Sequence, residues 1–438
     1  MALATPRAAG GGPGPGKRGP GPGKGALPDP LDLADPELYV SGDAFAVWDH
    51  LRVHAPVYLN RRADGSSFWA LTTHDLATSV YENRETFTSE RGMRVGGEDP
   101  AGRVANGRGL IVTDGIRHRQ MRDILGPAFT PRAVRRMEPI MQEVVAETLA
   151  EVADLESFDL VSRLAARLPL FATCALLGVP RSDWPLMIEM TRTAFGSVVL
   201  PQDAREHERD RVISPEERQR GHAEIFLYST ELAEHRRRHP GEDLVSAMVH
   251  GESKGYRMSM EDIQVNINGI LTGGNETTRH ATAGGVQAFI EHPDQWRRLK
   301  ADPSLLPRTI EEILRWTAPS LHVMRTAIRD TRLGDRRIRA GEQVTIWNPA
   351  VNRDGAAFPR ADRFDIGRWP NRHVTFGLGQ HFCIGAALAR LELHVVFTAL
   401  ATQVSRFVLT GAARRLHSNI MWGLDYLPVR IEREGRHG

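Results

Sequence analysis

The sequence predicts a mainly α chain with a small β region, built as a single domain. Three observations carry that prediction. Helical apolar periods dominate from about Asp43 to Pro240. A long helix, Ser259 to Glu291, opens on the cap "SMED" and stops at "HPD". Short β-like segments are confined to a hairpin near residue 60 and to the stretch beyond Pro319, where "HVMRTAI" and "TRLGDRRIRAGEQVTIW" occur.

Each element follows from its local chemistry. The first 26 residues hold nine glycines, five prolines, four basic residues and no acid. They cannot bury enough apolar surface to offset their ordering entropy, so residues 1–26 are expected to be a disordered tail and 27–438 the folded domain. "PVYLN" and "SFWALT" flank the turn "ADGS" and read as a hairpin. Gly92–Gly109 lacks periodicity and reads as a long functional loop. Helices are expected over Arg117–Phe129, Ala133–Ala153 and Ser162–Leu177, the last stopped by "GVP". A charged connector, Leu200–Glu217, separates a helix starting near Asp183 from one ending near His239. The final helix runs from Ala386 to about Thr402, and no internal repeat is present.

Composition narrows the function. With 41% apolar and 25% charged residues the chain fits an ordinary soluble globular protein. Without the four basic charges of its first 26 residues, the formal net charge falls from +2 to −2, which gives no footprint for nucleic acid. The longest apolar run, Leu168–Val179, has 12 residues including a proline, too short to span a bilayer. Two cysteines, Cys174 and Cys383, cannot build a disulfide framework, so a reducing, cytoplasmic setting is expected.

Cys174 sits on an apolar helix and reads as a buried structural thiol. Cys383 is framed differently, in "TFGLGQHFCIGAALARLELH". A zinc site needs three companions, and His381 is the only near candidate. Gly377, Gly379 and Gly385 let the backbone turn tightly and approach a neighbour closely. A thiolate at a helix start is favoured by the dipole and free N–H groups, which argues for a lowered pKa. One thiolate presented to a flat partner is what a haem iron takes as an axial ligand.

Phe376-Gly377-x-Gly379-x-His381-x-Cys383-x-Gly385 resembles the haem-binding signature of the cytochrome P-450 superfamily. Three further motifs extend the resemblance. Glu312-x-x-Arg315 alone would be a common i, i+3 ion pair. Its place about seventy residues ahead of Cys383 is similar to the family pair that locks the core to the following meander. "GGNETT", Gly273 to Thr278, is costly inside a helix and implies a local distortion or a close helix crossing. In the family such a widened turn holds dioxygen, which would give Thr277 and Glu276 the delivery of protons to it. His118 and Arg122 of "RHRQMR" share a helical face and resemble two of the haem propionate partners, with Arg325 and His381 as the others. The similarity runs from about Leu31 to the C-terminus, although Gly115 stands where proline is usual.

The resemblance implies a triangular fold with haem b between the long central helix and the helix after Cys383. It also implies a bacterial-type monooxygenase that uses O2, with Cys383 on the iron and Phe376 and Gly385 shaping the loop. No G-x-G-x-x-G unit lies within the expected folded domain, 27–438, so NAD(P)H acts only indirectly, through a ferredoxin or flavodoxin with its reductase. That partner is expected over the cysteine face, near Arg132, Arg135, Arg136 and Arg390. Substrate contacts are expected from Asn266, Asn268, Ile270, Gly273, Gly274, Leu321, His322, Val323 and Met421. The expected reaction is hydroxylation or epoxidation of a small molecule, free or carrier-protein-bound, in secondary metabolism. Oxidative coupling of aromatic substrates is the alternative. A monomer with no membrane anchor completes the expectation.

Overall fold

The computed structural model describes residues 31–95, 105, 107–195 and 213–433. The tail 1–26, most of the loop Gly92–Gly109 and the greater part of the connector Leu200–Glu217 lie outside the described residues. From Asp32 onward the chain gathers into one compact unit, and it is mainly helical. Among the described residues no helix is long and apolar enough to cross a membrane.

The hairpin forms as expected, Val57–Arg61 antiparallel to Ser67–Leu71, with Gly65 of the turn at φ +82°. Its second strand then pairs in parallel with Gln343–Trp347, Trp69 opposite Val344. Gln343–Trp347 pairs antiparallel with His322–Ala327, whose far edge takes Phe87–Thr88, completing five strands. A three-stranded sheet at the C-terminal end, Phe158–Asp159, Pro428–Arg433 and Val404–Leu409, was not anticipated.

Two expected helices are broken, each by a proline. The helix expected over Ala133–Ala153 is two helices, Pro131–Arg135 and Glu138–Glu151. Pro139 has no N–H to offer, and its ring would meet the Arg135 carbonyl four residues back. The helix expected over Ser162–Leu177 starts as a π-turn, Val161–Ala165, and becomes regular only at Arg167–Leu177. Pro169 acts in the same way on Ala165. Gly178, at φ +78°, ends it.

The central helix, Met260–Glu291, is opened by a capping box in which Ser259 and Asp262 satisfy each other's N–H groups. Its buried Ile263, Ile267, Leu271, Val286 and Phe289 join the main core with Leu170, Ile313, Leu393 and Phe397. This one helix packs against Arg167–Leu177, Leu306–Thr317 and Ala386–Gln403.

Candidate active site around Cys383

The cysteine loop is held by backbone geometry that only glycine tolerates. Gly377 and Gly379 lie at φ +65° and +69°. A Cβ on Gly379 would stand 2.7 Å from the Tyr81 carbonyl oxygen. The Cys383 N–H donates to the Phe376 carbonyl at 2.9 Å, and Gly385 caps the helix Ala386–Gln403. The sulfur accepts from the Gly385 N–H and feels the positive charges of Arg122 and Arg390. Burial nevertheless outweighs them and raises the thiol pKa, which corrects the expectation from helix position alone. Without a bound cation the thiol is therefore neutral, and a coordinating metal would deprotonate it.

The four expected propionate partners are differently placed. His118 is buried with neither ring nitrogen bonded, and its ring lies 4.4 Å from that of His381. Burial, reinforced by the charges of His381 and Arg122, lowers its pKa to about 4. Arg325 is buried, donates to the Met324 carbonyl at 2.9 Å and lies 5.9 Å over the Tyr81 ring. Among the described residues, no carboxylate reaches it as an ion pair. A buried guanidinium and an orphaned imidazole are groups that seek an anion. The two carboxylates of a porphyrin suit them chemically, so the residues present fit haem. Arg122 instead donates to the carbonyls of Gln380 (3.3 Å) and Phe382 (2.7 Å), tying its helix, Gly115–Leu125, to the cysteine loop.

Asp114 is the residue the sequence reading missed. Its Oδ1 lies 2.6 Å from His381 Nε2 and accepts from Gln380 Nε2 at 3.1 Å. Its Oδ2 accepts from Thr88 Oγ1 at 2.6 Å and the Ser89 N–H at 2.8 Å. Burial alone would raise this carboxyl, but these bonds hold it down to about 2. The available signal, an aspartate just before a helix, suggests an N-cap, yet its side chain makes no cap bond.

On the central helix the "GGNETT" segment stays regular α, so the expected widened turn is absent. The close crossing is real. A Cβ on Gly274 would stand 2.8 Å from Thr173 Oγ1, whereas one on Gly273 would meet nothing within 4 Å. Thr277 Oγ1 donates to the Gly273 carbonyl at 2.8 Å, and Glu276 pairs with buried Arg279. Among expected substrate contacts, Ile270, Gly273, Val323 and Met421 are partly or fully exposed. Asn266 is spent on backbone, accepting from the Leu110 N–H and donating to Arg108 and Asp262 carbonyls. Asn268 Oδ1 lies 3.3 Å from His222 Nδ1. Buried His322 accepts the Val95 N–H at 3.0 Å, and buried Leu321 donates to Ile420 at 2.9 Å. These last two hold neighbouring segments rather than face open space.

Behind the sulfur, a cavity of about 650 Å³ is lined by Phe129, Arg135, Phe382, Cys383, Arg390 and His394, among others. Arg132 and Arg135 are exposed, whereas Arg136 pairs with Glu242 at 2.8 Å and Arg390 with Glu311. Glu312 and Arg315 are fully buried and doubly bonded at 2.8 Å, far from the surface pair the motif alone suggests. Arg315 also donates to the carbonyls of Asn352, Ala361 and Arg363, and Arg368 returns to Glu312, so the pair anchors the meander before the cysteine.

Comparison with known proteins gives the family and the fold. A family model described as cytochrome P450 matches residues 229–410. Cytochrome P450 NovI of Streptomyces niveus is 35% identical over 402 residues, 92% of this chain and 96% of that protein. Linalool 8-monooxygenase of Pseudomonas putida is 36% identical over 407 residues, 91% and 98% of the two chains. Among solved structures, P450 OxyD, involved in the biosynthesis of vancomycin-type antibiotics, superposes with a TM-score of 0.83 at 34% identity. That match covers 92% of this chain and all of the other.

Proposed function

The chain belongs to the cytochrome P450 family and is a P450 monooxygenase, an oxidoreductase, and from that premise we propose that it inserts one atom of O2 into a small organic substrate of secondary metabolism. The observation that carries the site assignment is the half-buried, glycine-framed Cys383 thiol, together with the anion-seeking pair His118 and Arg325. Haem, when bound, supplies the activation of O2 and the oxidation of a C–H or C=C bond.

The chain's own residues do the rest. Cys383 would hold the haem iron through its sulfur. His118, Arg325 and His381 would bind the haem carboxylates, with Asp114 orienting His381, while Arg122 ties its helix to the cysteine loop. Thr277 keeps a lone pair free while its proton is engaged at the Gly273 carbonyl, so it accepts a hydrogen bond from a water and holds it as the proton carrier. Glu276, held by Arg279, serves that exchange as a fixed charge. Electrons come from a separate ferredoxin or flavodoxin seated at the cavity behind Cys383, near the exposed Arg132 and Arg135. The relation to OxyD, which is involved in the biosynthesis of vancomycin-type antibiotics, supports a biosynthetic substrate.

The decisive measurement is the absorption spectrum of the reduced, carbon monoxide-bound protein. A thiolate-ligated haem gives a strongly red-shifted Soret band, and Cys383→Ala abolishes it. A purified protein that stays colourless after incubation with haem overturns the proposal.

A further inference from the structure

Two cations lie near the Cys383 sulfur, and they are held in different ways. Arg122 is fixed by two backbone carbonyls. Arg390, one helical turn or more along the helix Ala386–Gln403, is fixed by a single acid. Its Nε and a terminal nitrogen donate to Glu311 at 2.7 and 2.9 Å. Its guanidinium lies 4.7 Å over the ring of Phe376, whose carbonyl accepts the Cys383 N–H. On the other side of Glu311, His373 Nε2 stands 3.2 Å from Oε2. Burial would raise this carboxyl, but the bonds from Arg390 and His373 hold it at about 2, so it stays ionised at working pH.

The sulfur feels the positive charge of Arg390, and Cys383, Arg390 and Glu311 line one cavity. The acid can reach the sulfur in two ways, by its own negative charge and by where it keeps the guanidinium, and the two act on the potential in opposite directions. Arg390 is more than one-third exposed, and without its partner its long side chain gains rotamer freedom and water. A charge that moves out into water loses most of its effect on a buried thiolate.

We propose that Glu311 is a positioning residue for the reaction: by clamping Arg390 against Phe376 it keeps a positive charge beside the axial thiolate and so sets the reduction potential of the bound haem. The proposal rests on the haem–thiolate reading of Cys383. The bland alternative is a tie between the helices Leu306–Thr317 and Ala386–Gln403, which would move stability and leave the potential alone.

The test is spectroelectrochemical titration of the substrate-free ferric/ferrous couple in purified holoprotein, for wild type, Glu311→Gln, Glu311→Asp and Arg390→Gln. Arg390→Gln removes a positive charge and shifts the potential downwards. Glu311→Gln is expected to shift it downwards as well, although it removes a negative charge. Glu311→Asp, with unchanged charge and a shorter reach, falls between it and wild type. An upward shift in Glu311→Gln with wild-type behaviour in Glu311→Asp means a charge effect alone and overturns the proposal. So does an unmoved potential in Glu311→Gln beside a lowered one in Arg390→Gln. If Glu311→Gln does not hold haem, Glu311→Asp decides by the same criterion. Failure of the haem reading itself appears separately, as a wild-type protein without the red-shifted carbon monoxide band.

Discussion

Replacing Glu312 by glutamine changes one oxygen for nitrogen and leaves the side-chain volume almost untouched. The carboxylate accepts from Arg315 Nε and a second Arg315 nitrogen at 2.8 Å each, from Arg368 Nε at 3.0 Å and from Asn371 Nδ2 at 3.1 Å. The Asp365 N–H adds a bond at 2.9 Å. In Glu312→Gln the amide nitrogen faces donors on one side of the carboxylate site, and two buried guanidinium groups lose their anion. Breaking one buried ion pair costs about 3–5 kcal/mol, because a charge is left uncompensated away from water. That is a large share of a total stability of about 5–15 kcal/mol. With a urea dependence of about 1–3 kcal/mol per molar, the unfolding midpoint should fall by about 1 M or more. The loss should be local first. Arg315 and Glu312 hold Asn352, Ala361, Arg363 and Asp365, so limited proteolysis should cut the stretch between residues 352 and 371 before haem is released. A midpoint within about 0.2 M of wild type, with no new cleavage there, would refute the reasoning.

Other outcomes follow from single contacts. Gly379→Ala forces a Cβ to within 2.7 Å of the Tyr81 carbonyl at a φ of +69°, and should lower stability by about 2 kcal/mol or more, read as faster haem transfer to apomyoglobin and a lower melting temperature. Asp114 has a folded pKa of about 2 against an ordinary 3.8, so its stabilisation is full above about pH 4 and is lost as pH falls through 2. Asp114→Asn should flatten melting temperature against pH in that window, by a modest amount because the carboxylate is partly solvated. An unchanged profile would remove Asp114 from the latch on His381. Thr277→Ala should keep haem content and the carbon monoxide band, while product yield per electron drops about 10-fold or more and peroxide release rises. Coupling equal to wild type would show that the hydroxyl takes no part.

What could be read from the sequence was local. The cysteine loop declares itself because Gly377, Gly379, His381 and Cys383 lie within seven residues, and the turn they form depends on few neighbours. The cap at Ser259 and the hairpin around Gly65 were legible for the same reason. Breaks at Pro139 and Pro169 were also local and could have been found by asking which carbonyl each ring would strike. Other features depend on where distant segments arrive. Asp114 looks like a helix cap until Thr88 and His381 are brought to it. Asn266 and His322 look like pocket residues until backbone from 108–110 and Val95 takes up their polar atoms. The thiol itself shows the limit most clearly. A helix start argues for a lowered pKa, and burial, which is a property of the whole fold, reverses the sign.

The parallel pairing of Ser67–Leu71 with Gln343–Trp347 has a consequence for how the protein is made. Emerging from the ribosome, the hairpin Val57–Leu71 carries an open strand edge, and its partner is some 270 residues away. At roughly 5–20 residues per second that edge waits for many seconds before it can be covered. The strand Phe158–Asp159 waits almost as long for Pro428–Arg433. The helical middle of the chain can fold as it appears, but both sheets close only after that middle has been made. Chains stalled or truncated before Trp347 should therefore be the aggregation-prone species, with the hairpin as the segment that seeds them.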